Sequence, residues 1–231
     1  MDYIESLSLS LDIREINICN KNLSILPDLS RFTCLQKLDC SNNQLRRLDN
    51  LPSFLQVLNC SYNQITQLDN LPPSLQILYC YNNQLTRLDN FPSSLQVLNC
   101  SSNQLTQLDN LPSSLQILQC YYNQITQLDN LPSSLQVLDC SYNQIVQLDN
   151  LPLSIQFLEC FHNKMENYTL GYWIEQSKNK KLELLKKKFC IRKIQRQWRK
   201  YWYDFYKYEI INGQNIGFCR FIEKSYYYYN Q

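Results

Sequence analysis

No alanine occurs among the 231 residues, and the only glycines, Gly171, Gly213 and Gly217, all lie beyond residue 170. A glycine-rich phosphate cradle is thereby excluded from most of the chain. A single histidine, His162, excludes an HExxH zinc site and a Cys/His zinc finger. No apolar run approaches the roughly 18 residues that would suggest a membrane span. Met1-Asp2-Tyr3-Ile4-Glu5 lacks the basic and then apolar stretches of a secretory leader. The expectation is a cytoplasmic chain whose eleven cysteines are thiols in a reducing compartment. Charged residues make up only 18% against 44% hydrophobic, too apolar a balance for a disordered chain. The scarcity of Ala and Gly beside abundant Asn, Ile, Lys and Tyr fits an AT-rich genome.

What is present is a period. Cys40, Cys60, Cys80, Cys100, Cys120, Cys140 and Cys160 recur every twenty residues, within units that read approximately Leu-Gln-x-Leu-x-Cys-x-x-Asn-Gln-Leu-Thr-x-Leu-Asp-Asn-Leu-Pro-x-Ser. The best-formed units start at Leu35, Leu55, Leu75, Leu95, Leu115 and Leu135, with a decaying one from Ile155 and an imperfect one from Ile13. About eight turns are therefore expected. Leu38 and Cys40 share one face of a short strand, because alternate residues of a strand point the same way. Asn43 follows where the chain leaves the strand, and its amide can both donate to and accept from backbone groups inside the turn. Leu45, Leu48 and Leu51 complete the interior, and Pro52 fixes φ and gives up a donor. Twenty residues must cover a whole circuit, which leaves the back of the coil extended or 3₁₀ rather than α-helical. Stacking at about 4.8 Å per turn buries the leucines and spreads eight parallel strands over about 34 Å.

Leu35-Gln-Lys-Leu38-Asp-Cys40-Ser-Asn-Asn43-Gln-Leu45 resembles the leucine-rich repeat pattern LxxLxL/CxxNxL, over about residues 13–168. The resemblance implies an α/β fold class, namely a right-handed solenoid with a concave parallel sheet, used mainly to bind proteins. The Cys-rich, alanine-free form is similar to repeat proteins of large DNA viruses that infect amoebae, which would make the partner a host protein in host cytoplasm. The boundaries expected are an amino-terminal cap over 1–12, a solenoid over 13–170 and a basic helical segment over 171–231. Lys21 stands at the asparagine place of the first turn and Tyr168 at a core leucine place of the last, as suits the ends of a stack.

The thiol column invites a metal or redox role, but an in-register ladder offers no tetrahedral cluster and no histidine partner, so burial as small apolar residues is expected. No cofactor, metal or small-molecule substrate is anticipated. His162 has no activated nucleophile within reach of its neighbourhood in the sequence and reads as a surface residue.

Counting the first leucine of each unit as position one, positions three, five and seven face outward from the sheet. Position three runs Val57, Ile77, Val97, Ile117, Val137, Phe157, and scattered tyrosines stand beside it with few charges. Such a surface has the composition of a protein interface, and Tyr79, Tyr81, Tyr121, Phe157 and Phe161 are the expected anchors.

Residues 1–170 carry eight basic and fifteen acidic side chains, whereas residues 171–231 carry fourteen and five. The near-neutral total conceals that split. Leu184, Ile191, Ile194, Trp198, Tyr201, Phe205 and Tyr208 recur at helical spacing, so an amphipathic basic helix is expected, either capping the last coil or binding a partner. Ile194, Gln195, Trp198 and Arg199 resemble the first half of an IQ motif, implying calmodulin as an alternative partner, although Lys200 and Asp204 depart from it. No recognition module for nucleic acid or membrane accompanies the helix. The Leu-Pro repeats also resemble those of bacterial effector ubiquitin ligases. Only about sixty residues follow the repeats, however, and neither Cys190-Ile-Arg nor Cys219-Arg-Phe has the Cys-x-Asp arrangement that resemblance implies. A non-enzymatic binding protein is the expectation.

Overall fold

The computed structural model describes residues 12–148 and 151–165. The expected cap over 1–12, apart from Asp12, and the basic segment over 171–231 lie outside the described residues. So do Tyr168 and Ile194, Gln195, Trp198 and Arg199.

Eight three-residue strands form one parallel sheet in chain order: β1 (Glu15–Asn17), β2 (Lys37–Asp39), β3 (Val57–Asn59), β4 (Ile77–Tyr79), β5 (Val97–Asn99), β6 (Ile117–Gln119), β7 (Val137–Asp139) and β8 (Phe157–Glu159). Seven circuits join them. Register is kept without slippage, so that Leu38, Leu58, Leu78, Leu98, Leu118, Leu138 and Leu158 stand side by side. The sequence dictates that register because a slip by one residue would turn every core leucine outward.

Inside each circuit the side chains at positions one, four, six and eleven meet. Leu95, Leu98, Cys100 and Leu105 have no measurable exposure, and Leu108 is also buried. Position seventeen, held by Leu51 and its equivalents, is only half-buried, whereas Pro52 and its equivalents are buried. The back of the coil is extended and contains one turn per circuit, closed where Leu55 N donates to Pro52 O at 3.1 Å. Of the two forms expected for the back, extended or 3₁₀, the extended one is found, interrupted by that turn; no helix of any kind occurs among the described residues, and hence none long and apolar enough to cross a membrane. The first circuit is two residues longer and is filled by Ile16, Ile18, Leu26, Leu29 and Phe32.

Three side-chain ladders tie the circuits together. Asn103 Nδ2 donates to Cys80 O (3.0 Å), Cys100 O (3.0 Å) and Ser101 O (3.2 Å), while its Oδ1 accepts from Leu85 N (3.0 Å). One buried amide thus satisfies backbone groups of two successive turns. Asn43, Asn63, Asn83, Asn123 and Asn143 do the same. Lys21 at the asparagine place of the first turn is exposed, and its own N–H is taken by Asn43 Oδ1 at 3.0 Å. The thiols donate forward along the stack, as in Cys80 Sγ to Asn99 O at 3.5 Å. Burial pushes them up, Cys60 and Cys100 to about 12. The third ladder was not anticipated from sequence: Ser94, Ser114, Ser134 and Ser154 each donate from Oγ to two carbonyls of the preceding circuit, Ser114 to Ser93 O (2.7 Å) and Leu95 O (2.6 Å).

Each circuit turns two corners at positive φ without glycine. Position sixteen is Asn every time, at Asn50, Asn70, Asn90, Asn110 and Asn130. Position eight is Asn42, Tyr62, Asn82, Ser102, Tyr122, Tyr142 and His162, with φ of 52–54°. Asparagine enters this region readily, while other non-glycine residues incur roughly 1–2 kcal/mol.

Two outcomes follow from this architecture. Asn103→Ala should lower stability by about 2–4 kcal/mol, since buried groups of two turns lose their partners, whereas Ser102→Asn should raise it by about 1 kcal/mol by relieving the corner; equilibrium denaturation of the two variants checks the opposite signs. In native protein at pH 8, iodoacetamide should modify exposed Cys34 and spare Cys40, Cys60, Cys80, Cys100, Cys120 and Cys140, which are buried. Peptide mass mapping that found Cys80 or Cys100 alkylated as fast as Cys34 would contradict the ladder.

Candidate functional site

The outward face of the sheet takes its shape from the columns that the register creates. At position three, Val57, Ile77, Val97, Ile117, Val137 and Phe157 are register partners in sequence, and each is half-buried. This apolar row is continuous across six strands. At position five, Tyr79 pairs with Asn59 and Asn99, and the middle of that column is closed to solvent: Asn99 is 7% and Gln119 6% exposed.

Position seven holds a finding the sequence did not foretell. Ser41, Ser61, Ser101 and Ser141 were expected to meet a partner, yet Ser61 and Ser101 are 0% exposed. From Ser61 the column alternates Ser61, Tyr81, Ser101, Tyr121, Ser141, Phe161, so Ser101 and Ser141 each stand between two larger side chains and Ser61 stands beside Tyr81. Tyr81 and Tyr121 are consequently half-buried, while Phe161 at the end of the column is exposed. Of the expected anchors, Tyr79 ends β4 and Phe157 begins β8, both half-buried. Tyr81, Tyr121 and Phe161 stand two strands apart, about 9–10 Å, so the tyrosines do not form one contiguous cluster.

Position eight supplies aromatic groups that sequence reading missed. Tyr122 stacks on Tyr142 with centroids 4.3 Å apart and planes at 16°, and Tyr142 stacks on His162 at 4.3 Å and 25°. Tyr121 meets Tyr122 edge-on at 5.8 Å, and Tyr62 meets Tyr81 edge-on at 5.2 Å. Stacked rings contribute about 0.5–1.5 kcal/mol each, which roughly cancels the cost of holding tyrosine at positive φ. The fold therefore gains little from these rings, because Asn42 and Asn82 turn the same corner. The signal was available: residues 122, 142 and 162, twenty apart, are all aromatic.

Charge on this face is sparse and one-sided. From β3 onward, the outward positions three, five and seven hold Asp139 and Glu159 and no Lys or Arg. The two carboxylates are register partners. Burial raises Asp139, despite the bond that its Oδ1 accepts from Ser141 N at 3.1 Å. Burial and then the charge of Asp139 push Glu159 up to about 7. Burial and the same charge push Tyr121 up to about 12. Of the ion pairs among the described residues, Lys37–Glu15 stands at the first two strands of this face, while Arg47–Asp49 and Arg87–Asp89 lie on the part of the coil beyond the sheet. Exposed as they are, they contribute at most about 1 kcal/mol each. Among the described residues no three His, Cys, Asp or Glu side chains converge to hold a metal ion. His162 is exposed and lies against Tyr142 rather than beside a nucleophile.

Comparison with known proteins agrees with this geometry. The family model for Leucine Rich repeats (2 copies) matches residues 35–73, 53–93 and 73–113, and that for a single Leucine Rich Repeat matches residues 134–163. Among solved structures, the chain is similar to the functional domain of InlJ from Listeria monocytogenes, which includes a cysteine ladder: 32% identity over 71% of this chain and 38% of that one, with a TM-score of 0.64. It is similar to YopM, a leucine-rich effector protein from Yersinia pestis, at 32% identity over 68% of this chain and 44% of that one, TM-score 0.63. A Shigella effector repeat domain shares 30% identity over 72% of this chain and 66% of that one, TM-score 0.54. The chain thus spans less than half of InlJ and YopM. No curated protein matches it.

The raised Glu159 sets a pH dependence whose sign can be worked out. Its folded value of about 7 lies above the ordinary 4.5, so the folded state holds the extra proton between those limits. Stability contributed by this group is fully present below pH 4.5 and is lost as pH rises through 7. Glu159→Gln should flatten that part of the profile, which thermal melts of both proteins between pH 5 and 8 would measure; parallel profiles would show that Glu159 is not the source.

Proposed function

Because this chain is built of leucine-rich repeats, we propose that it is a non-enzymatic binding protein that holds a protein partner against the outward face of its sheet. One observation carries the reading: the Val57–Phe157 row is an unbroken apolar strip across six strands, held in register, with Tyr79 in the column beside it. Half-buried apolar side chains ordered before contact lose little entropy on binding, so their desolvation goes into affinity. Charge is depleted along the strip, as in the centre of a protein interface. Similarity to effector repeat domains of bacteria supports a scaffold role, and the partner of this chain is a proposal on its own surface chemistry.

Ile77→Thr with Ile117→Thr tests the reading, since threonine keeps the branched side chain that suits a strand while removing apolar surface. The melting temperature should move by only a few degrees. Proteins captured from a lysate by the wild-type chain should be lost or weakened at least tenfold with the double variant; capture at wild-type strength would overturn the reading.

A further inference from the structure

We infer that Tyr81 and Tyr121, the spaced tyrosines of position seven, receive a proline-rich segment of the partner that lies across the strands in the polyproline II conformation. This deepens the binding reading above and rests on it, since it names the kind of segment held beside the apolar row. A match of periods carries it. Tyr81, Ser101 and Tyr121 follow one another in successive turns, so one small residue separates two large ones that stand about 9–10 Å apart. A polyproline II chain has three residues per turn at about 3.1 Å each, so prolines at i and i+3 return to one edge every ~9.3 Å. An α-helix, with a pitch of about 5.4 Å, would instead set a side chain over nearly every strand, Ser101 included.

Both anchors are half-buried and braced before contact. Tyr62 meets Tyr81 edge-on at 5.2 Å, and Tyr122 meets Tyr121 edge-on at 5.8 Å while stacking on Tyr142 at 4.3 Å. The two braces stand at positive φ, 53° and 52°, where Asn42 and Asn82 turn the same corner at lower cost. Strained tyrosines are thus kept beside the two residues that a preformed platform needs fixed, and rings ordered in advance lose little entropy on binding. Charge narrows the occupant further. From β3 to β6 the outward positions three, five, seven and eight carry no Asp, Glu, Lys or Arg; the first charges on either side are Lys37 and Asp39 on β2 and Asp139 on β7, whose charge reaches Tyr121. Such a stretch offers nothing to the phosphates of nucleic acid or to a run of basic side chains. Proline rings are uncharged, and their C–H groups suit the negative face of a phenol ring, so proline-rich segments dock on aromatic surfaces. A polyproline II backbone makes no internal hydrogen bonds, and the exposed Gln84, Gln104 and Gln124, two residues past the corner, offer amide N–H groups to its carbonyls.

The test uses the full chain and fluorescein-labelled peptides of equal length, one repeating Pro-Pro-Gln four times and one repeating Pro-Pro-Gln-Gln three times. Both favour polyproline II, and only the first returns proline to one edge at every turn. Fluorescence anisotropy should show saturable binding of the first and roughly fivefold weaker binding of the second. Unlabelled oligothymidylate and cellohexaose, an extended uncharged sugar polymer, should not displace the peptide. Tyr81→Ser with Tyr121→Ser installs the residue that the chain itself uses at Ser61 and Ser101, and in a variant folded by circular dichroism it should lower affinity roughly tenfold or more. Tyr62→Asn with Tyr122→Asn installs the residue of Asn42 and Asn82 and removes only the braces, so binding should weaken severalfold with the preference between peptides retained. This second variant decides the matter should the serine variant fail to fold. No binding of the Pro-Pro-Gln peptide, equal affinity of the two peptides, unchanged affinity in either folded variant, or displacement by either competitor overturns the inference. Those results would leave the sheet-face reading standing, which falls only if the Ile77/Ile117 variant retains the natural partner.

Discussion

One side-chain amide per turn makes the rest of this structure possible. When identical circuits stack in register, every group inside one circuit faces its own copy in the next, and a backbone donor or acceptor that lacks a partner in one turn lacks it in all of them. Asn43 and its successors remove that problem at its worst point, where the chain leaves the strand and the ladder of backbone bonds is interrupted. With the corner satisfied, the leucines can be completely dehydrated and the cysteines can be buried as small apolar groups whose thiols still reach a carbonyl. Removing water from the interior in this way is what raises the thiols and renders them chemically quiet.

The interior was legible in the sequence because it is a matter of columns. Leu38, Cys40 and Asn43 each recur at twenty-residue intervals, and a residue type that returns at fixed spacing in a stack must meet itself. The outward face was legible only in part. Position three could be read as an apolar row, since the strands run parallel without offset. The burial of Ser61 and Ser101 could not, because it depends on Tyr81 and Tyr121 in neighbouring turns rather than on serine itself. The positive-φ corners were hidden for a related reason: glycine ordinarily marks such places, and Tyr122, Tyr142 and His162 disguise them. The serine ladder at Ser94 to Ser154 escaped because a hydroxyl beside proline reads as a turn residue, and its acceptors belong to the preceding circuit.

Core and surface are thus governed by different rules along the same chain. Positions one, four, six, nine and eleven are constrained by self-stacking and hardly vary between Leu55 and Ile145. Positions three, five, seven and eight vary from turn to turn, and the variation is graded along the stack. The stacked rings Tyr122, Tyr142 and His162 lie toward β7 and β8, whereas the outward charges stand at both ends, Glu15, Lys37 and Asp39 on β1 and β2 and Asp139 and Glu159 on β7 and β8. A uniform scaffold therefore presents a surface with a direction, and the rings that give it that direction are groups the fold needs little.

The twenty-residue register also makes the array editable as text is edited, by whole lines. Excising residues 95–114 would join the circuit of Leu75 to that of Leu115 with asparagine still above asparagine and thiol above thiol. On the outside, the same excision would bring Tyr121 next to Tyr81, which Ser101 now separates. Recombination between near-identical repeats can therefore shuffle the recognition surface of this protein in single steps, while the interior registers no change at all.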